Sequence, residues 1–237
     1  MSKREELLEL LALYSHFKKY PRLTPWVGSK YPSGKKILII GESHYLPEGV
    51  TYHHDIERWY AGNEEDLKND VQSSCIHEDD KLNGIKYIST SGILRARSTD
   101  MPKEKRKKFS AKGHAIYRNI FSSLNSVCFQ KDNYLDTIDH VAYYNYFQRP
   151  AEKTGGSINV TKMDKEVAEA TLKYLLQSLK PDLVVVVSKK VGKAIKPHLS
   201  EHKHIVTAHP ASVWWNRKTK KGTTGKSSFC QFLEKNY

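Results

Sequence analysis

Apolar and polar residues follow one another along the chain in blocks that predict strands alternating with helices. Short apolar runs bounded by turn residues are typical of buried strands, and four such runs lie at Lys35–Ile40, Asp139–Phe147, Leu183–Val187 and His204–Thr207. Apolar residues at helical spacing predict helices at residues 4–18, 114–126, 164–179, 191–199 and 229–233. This alternation predicts right-handed crossovers and a mainly parallel sheet covered by helices on both faces.

The pattern therefore predicts an α/β fold, a three-layer α/β/α arrangement with a small, mainly parallel, four-stranded central sheet. The chain has 237 residues, a length that fits one large domain, and we expect a single domain over residues 1–237. Residues 46–112 are polar and charged and have no long periodicity. We interpret them as a polar insert, and the sequence leaves open whether this insert is a lid or a recognition element.

Net charge points to a polyanionic partner. Lys and Arg number 39 against 26 Asp and Glu, which gives a formal net charge of +13. Such a charge favours nucleic acid, and we expect DNA; a basic protein without such a partner is the alternative. The chain has no apolar run of about 18 residues and no apolar region typical of a signal peptide, and its three cysteines are widely spaced. We therefore expect a cytoplasmic monomer that does not contact a membrane.

Residues capable of chemistry follow each predicted strand. Glu42 comes directly after the first strand, Asn145 lies in the second and His209 follows the fourth. The carboxyl ends of parallel strands meet at one edge of a sheet, where ligands bind in α/β folds. The sequence therefore predicts that a carboxylate, an amide and a histidine converge there. Further polar and basic residues follow the same strands: Gly41, Ser43, His44, Tyr45, Ser188, Lys189, Lys190 and Ser212.

Three segments together resemble the uracil-DNA glycosylase superfamily. Residues 37–45 are similar to a strand that ends in a glycine-containing loop, which positions or activates the attacking water in that superfamily. Residues 144–150 are similar to a strand with an Asn-Arg-Pro pattern in one branch of that superfamily. Residues 180–187 are similar to the later strand of that branch, which begins with Lys-Pro. Residues 208–212, followed by 225–229, are similar to its His-Pro-Ser loop and the Gly…Phe segment that comes next. The resemblance spans residues 37–45 and 144–233, close to half the chain.

The resemblance implies a divergent DNA glycosylase that flips a damaged or modified base and hydrolyses its N-glycosidic bond. We expect a pyrimidine such as uracil. The matching positions imply that Glu42 positions water, Asn145 reads the base edge and His209 stabilises the leaving anion. Tyr45 matches an aromatic residue that lies beside the pyrimidine C5 atom. The predicted base-binding residues are Gly41, Ser43, Tyr45 and Asn145, and the predicted catalytic residues are Glu42, His44, Asn145 and His209.

Three departures from the superfamily pattern leave the reaction open. Ser43 stands where one branch has a catalytic aspartate, His44 replaces a preferred proline, and Ala211 replaces the serine of the third motif. His44 is either a second acid–base group or a loop residue. The alternative function is therefore a catalytically altered or inactive nucleic-acid or nucleotide-binding module on the same fold. A hydrolase of another nucleotide-like ligand, with Glu42 and His44 as the acid–base pair, is a third hypothesis.

We expect no cofactor. His53 and His54, with Asp55 beside them, could suggest a metal site, but no third ligand stands at useful spacing. We therefore predict no metal site. One branch of the superfamily holds an iron–sulfur cluster on four cysteines, which three cysteines cannot supply.

Aromatic residues beside basic ones at residues 214–221 suit base stacking and phosphate contact. The predicted DNA-binding residues are Lys189, Lys190, Ser212, Arg217, Lys218, Lys220 and Lys221. Burial of one of the two tryptophans in this segment is the alternative for that side chain.

Overall fold

The protein is an α/β fold built on one mixed five-stranded sheet. The computed structural model describes residues 1–110, 112–220 and 222–237. The strands are β1 (Trp26–Val27), β2 (Ile37–Gly41), β3 (Val141–Asn145), β4 (Leu183–Val186) and β5 (Lys203–Val206). They lie in the order β1-β3-β2-β4-β5. Strands β2 to β5 pair in parallel, and β1 pairs antiparallel with β3.

The prediction of an α/β fold is confirmed, but the prediction of four strands is wrong. All four predicted strands are present, and the additional strand is β1 at the edge. Trp26 lies opposite Tyr143, and its indole Nε1 donates a hydrogen bond to the Ile138 carbonyl at 2.9 Å. A strand of two residues is too short to show the alternating pattern from which strands are recognised.

Helices cover both faces of the sheet. The described part of the chain contains α1 (Lys3–Ala12), α2 (Ser15–Lys19), α3 (Ile56–Ala61), α4 (Glu64–Ser74), α5 (Glu78–Asn83), α6 (Thr90–Arg95), α7 (Ala115–Leu124), α8 (Lys162–Leu179), α9 (Lys189–Ile195) and α10 (Gly225–Asn236). The single helix predicted at residues 4–18 is two helices. Tyr14 between them has extended backbone, and its ring stacks on Tyr174 at 4.6 Å. No helix of the described residues is long and apolar enough to cross a membrane.

The central strands are buried on both faces. Leu38 and Ile40 of β2 belong to one apolar core, and Ile37 and Ile39 belong to the other. All four side chains have no exposed surface. This double burial explains why the strands appear in the sequence as continuous apolar runs rather than as alternating ones.

The polar insert at residues 46–112 is packed against the rest of the fold. Trp59 of α3 is fully buried and stacks on Tyr20 at 4.5 Å. Helix α6 packs against β1 and β3, and its N-cap Ser89 accepts a hydrogen bond from the Gly92 backbone. The insert therefore supplies a wall beside the sheet edge at which the predicted site residues emerge.

Candidate functional site

The parallel register brings the predicted site residues to one edge of the sheet. Gly41 lies opposite Asn145, and Ile40 lies opposite Val186. Two hollows open at this edge. The sheet-edge cavity, about 580 Å³, is lined by Glu42, Ser43, His44, Tyr45, Asn145 and His209 together with residues of the insert and α7. The basic groove, about 620 Å³, is lined by Glu42, Ser188, Lys189, Lys190, His209 and Lys220 among others.

Glu42 stands where the cavity and the groove meet, because it lines both. Its Oε2 atom accepts a hydrogen bond from the Ser188 hydroxyl at 2.5 Å, and its Oε1 atom accepts one from the Ser157 hydroxyl. Lys190 Nζ donates to Ser157 Oγ at 3.0 Å and also to the Ile158 carbonyl. Two hydroxyl donors thus hold the carboxylate in one orientation. The Lys190 ammonium group does not contact the carboxylate directly but bonds to Ser157, one of these two donors.

His209 is the second residue that lines both hollows. The Ser212 backbone N–H and hydroxyl donate to the His209 carbonyl at 2.9 and 2.7 Å. The Ala211 N–H donates to His209 Nδ1 at 3.4 Å, so a neutral ring carries its proton on Nε2. Burial lowers the pKa of His209, and the Glu42 charge opposes this shift. The ring is therefore a neutral N–H donor at pH 7, suited to stabilising an oxyanion.

Asn145 and His44 form a buried polar pair in the wall of the sheet-edge cavity. Asn145 Nδ2 donates to His44 Nδ1 and to Thr90 Oγ1, both at 3.3 Å. Burial lowers the pKa of His44 to about 3, so this ring is neutral. Asn145 lies directly over Gly41, where an added Cβ would stand only 2.1 Å from Asn145 Oδ1. Glycine is therefore required at the end of β2 for the amide to occupy this position.

Tyr45 and Ser43 complete the part of the cavity built by the loop after β2. Both are half-buried, and burial raises the pKa of the Tyr45 hydroxyl, with the Glu42 charge adding to the shift. Tyr45 therefore presents a neutral hydroxyl and an aromatic face to a ligand.

Sequence reasoning missed much of the cavity wall. The insert supplies Asn83, Lys86, Tyr87 and Thr90, and α7 with its N-cap supplies Tyr117 and His114. It also missed Ser157 and Ser188 as partners of Glu42. The position of Ser188 directly after a strand was an available signal, whereas Ser157 lies in a glycine-rich loop that offered none.

Four of the predicted DNA-binding residues, Lys189, Lys190, Ser212 and Lys220, line the basic groove. Lys189 is exposed and donates to the Val206 carbonyl at 2.8 Å. Trp214 is exposed, and the Arg217 guanidinium lies 5.2 Å from the centre of its ring. Trp215, in contrast, is buried against Phe229. Arg217, Lys218 and Lys220 are exposed, and Lys221 lies outside the described residues.

Arg149, which belongs to the segment 144–150, has a structural role. The Arg149 guanidinium is buried and forms two hydrogen bonds of 2.9 Å with Asp164, and Arg149 lines neither hollow. For residues 1–110, 112–220 and 222–237, no group of three or more His, Cys, Asp or Glu side chains is placed to hold a metal ion.

Comparisons with known proteins add no relative. No protein-family model matches the chain, and a search of curated proteins finds no significant match.

Proposed function

We propose that the protein is a DNA glycosylase-like hydrolase, a divergent member of the uracil-DNA glycosylase superfamily. The observation that carries the proposal is the shared position of Glu42 and His209 between the sheet-edge cavity and the basic groove. A flipped base in the cavity and a phosphate backbone in the groove would bring the N-glycosidic bond between these two side chains. DNA is the proposed partner, and the protein is proposed to act as a monomer in the cytoplasm.

The proposed reaction uses each residue for one task. The C1′–N bond breaks and its electron pair leaves with the base, while positive charge develops on the sugar. The Glu42 carboxylate offsets that charge. It also accepts a proton from the attacking water while the water oxygen bonds to C1′. The His209 Nε2–H donates a hydrogen bond to the oxygen of the departing base anion. That anion finally takes up the proton released by water.

The substrate is read in the cavity, where Asn145 offers polar atoms to the base edge and Tyr45 offers an aromatic surface. The basic groove supplies sequence-independent attraction to phosphates. The proposed class of substrate is a modified base, a pyrimidine such as uracil first, because an amide read-out requires hydrogen-bonding atoms on the base edge.

Base release from defined oligonucleotides tests the proposal. Single- and double-stranded oligonucleotides that contain uracil, 5-hydroxymethyluracil or hypoxanthine are incubated with the protein and then cleaved with alkali at abasic sites. We expect cleavage with the wild-type protein and loss of at least a hundredfold for Glu42→Gln and His209→Ala. Glu48→Gln is the matched control, since Glu48 is exposed and lines neither hollow. The enzyme proposal fails if the wild-type protein produces no more abasic sites than these two variants do, on every substrate tested.

A nucleic-acid-binding module without turnover is the second candidate. Both carboxylate oxygens of Glu42 are already hydrogen-bonded to serines, and Ser43 stands where one branch of the resembled superfamily has a catalytic aspartate. Salt-dependent DNA binding without release of any base, in the same oligonucleotide panel, would favour this function.

A further inference from the structure

The contact between His44 and Asn145 restricts what Asn145 offers to a ligand. A side-chain amide carries two N–H donors on nitrogen and one acceptor oxygen. Asn145 Nδ2 directs its donors to His44 Nδ1 and to Thr90 Oγ1, at 3.3 Å each. Both donors are therefore used within the protein.

The oxygen of the same amide remains free. Within the described residues, Asn145 Oδ1 accepts no hydrogen bond, and it is not among the fully buried side-chain atoms that lack a partner. Asn145 lines the sheet-edge cavity. Oδ1 is thus the polar atom of this side chain that a ligand in the cavity meets.

His44 determines this orientation. With Nδ1 accepting a hydrogen bond from Asn145, the neutral ring carries its proton on Nε2. The ring is 4 % exposed, and a neutral ring at this depth is expected at pH 7. The lone pair on Nδ1 would repel Oδ1 if the amide turned over, so the contact selects one of the two amide orientations.

We infer that His44 is a specificity-determining residue, which holds the Asn145 amide so that its oxygen faces the sheet-edge cavity and requires a ligand with an N–H donor. The inference rests on the proposed function, because it takes the occupant to be a base. The bases that qualify present an imide N–H, as uracil does, or an amino group. Bases whose exposed edge carries acceptors alone would leave Oδ1 unpaired and would be rejected.

The tautomer of His44 in the free protein tests the inference without any catalytic reaction. In the full chain labelled with nitrogen-15 at neutral pH, we expect an unprotonated Nδ1 and a protonated Nε2 for His44. We also expect side-chain NH₂ signals of Asn145 that are slowed in hydrogen exchange. A protonated Nδ1 would overturn the inference, because it would donate to the amide oxygen and turn the NH₂ group towards the cavity.

Binding of two closely related bases tests the consequence for the ligand. Three single-stranded oligonucleotides of one sequence carry uracil, 2-pyrimidinone or an abasic analogue on a sugar that resists hydrolysis. Uracil presents an N–H donor, whereas 2-pyrimidinone presents acceptors only. We expect uracil to bind at least tenfold more tightly than 2-pyrimidinone. Equal affinity for these two bases overturns the inference.

If uracil binds no better than the abasic analogue, base recognition and with it the proposed function fail. The His44 tautomer then decides by itself whether His44 fixes the orientation of the Asn145 amide.

A pair of variants separates His44 from a general effect on the fold. His44→Ala releases the amide, which can then donate to N3 of 2-pyrimidinone, so we expect the preference for uracil to fall below threefold. His77→Ala is the matched control, because His77 is exposed and outside the cavity, and it should keep the wild-type preference. An unchanged preference in a folded His44→Ala variant contradicts the role given to His44.

Discussion

The Ser188 hydroxyl donates a hydrogen bond of 2.5 Å to Glu42 Oε2, although 145 residues lie between these two positions in the sequence. Strands β2 and β4 are parallel neighbours in which Ile40 lies opposite Val186, so the residues that follow them meet. Ser188 is buried and also caps α9, because its Oγ accepts a hydrogen bond from the Val191 N–H. One hydroxyl therefore links a helix start to the orientation of the candidate catalytic carboxylate.

Removing this hydroxyl should affect both stability and activity. Ser188→Ala is expected to lower the free energy of unfolding by about 1 kcal/mol through loss of the helix cap. It should also lower kcat/KM for base release roughly tenfold, because Glu42 loses a partner that orients it. Urea denaturation and the oligonucleotide assay measure the two effects. Ser157→Ala, which removes the other hydroxyl donor but no cap, should lower activity alone; full activity in both variants would show that these serines do not position Glu42.

Gly41→Ala should disturb the pair formed by Asn145 and the end of β2. The added Cβ would lie 2.1 Å from Asn145 Oδ1 and 2.7 Å from the Tyr143 hydroxyl. Overpacking of this kind costs about 1–3 kcal/mol, and the displaced amide should weaken base binding. Gly34→Ala is the control, since its Cβ would meet only the Lys30 carbonyl at 3.6 Å. Thermal unfolding compares the two variants, and equal stability would show that the end of β2 yields without cost.

The basic groove should give DNA binding a steep dependence on salt. Each lost phosphate contact reduces the slope of log K against log salt by about 1. We expect Arg217→Ala and Lys220→Ala each to reduce the slope by about that amount without changing base preference. Lys68→Ala, on α4 and outside the groove, should leave the slope unchanged. Fluorescence anisotropy at several salt concentrations makes the measurement, and slopes equal to wild type would place the DNA elsewhere.

The sequence predicted the elements that have strong periodic signals. Strands β2, β3 and β4 were recognised because burial on both faces makes each one a largely apolar run. Strand β5 is only partly buried and was recognised from a shorter apolar run. Strand β1 was missed because its two residues carry no pattern, and its place depends on pairing with β3. The break between α1 and α2 was missed because the apolar spacing continues through Tyr14, whose extended backbone reflects tertiary stacking on Tyr174.

The candidate site was predictable where it follows strands and unpredictable where distant segments form its wall. Glu42, Asn145 and His209 follow from the rule that parallel strands end at one edge. Thr90 reaches Asn145 only because α6 of the insert packs against the sheet, and nothing in its local sequence marks it. The same holds for Ser157, which contacts Glu42 from a loop after β3.

Buried histidines should make the protein less stable below neutral pH. Burial lowers the pKa of His16 to about 4, that of His53 to about 4 and that of His44 to about 3. Their pKa in the unfolded chain is about 6.5. As the pH falls from about 6.5 to 4, the unfolded chain binds protons that the folded chain does not, so the free energy of unfolding decreases.

His16→Gln should therefore reduce the slope of stability against pH in this range by up to about 1.4 kcal/mol per pH unit. His77→Gln, at an exposed position, should not change it. Urea denaturation at several pH values makes the comparison, and identical slopes for wild type and His16→Gln would mean that His16 titrates normally in the folded protein.

Removing one partner of the buried Arg149–Asp164 pair should destabilise the fold strongly. Burial alone would raise the pKa of Asp164, but hydrogen bonds from Arg149, the Thr161 backbone and Tyr60 hold it below its ordinary value. Neither side chain of the pair exceeds 1 % exposure. Removing one partner of such a pair leaves a buried uncompensated charge and costs about 3–5 kcal/mol.

We therefore expect Asp164→Asn to lower the free energy of unfolding at pH 7 by about 3–5 kcal/mol. Because the folded pKa of Asp164 lies below that of the unfolded chain, about 3.9, its stabilisation is present above this pH and lost as the pH falls below it. Asp164→Asn should thus differ less from wild type near pH 2 than at pH 7. Glu152→Gln removes a partly exposed partner of Arg149 and should cost about 1 kcal/mol or less. Urea denaturation of the three proteins at both pH values decides the matter, and equal losses for the two variants would contradict the role given to Asp164.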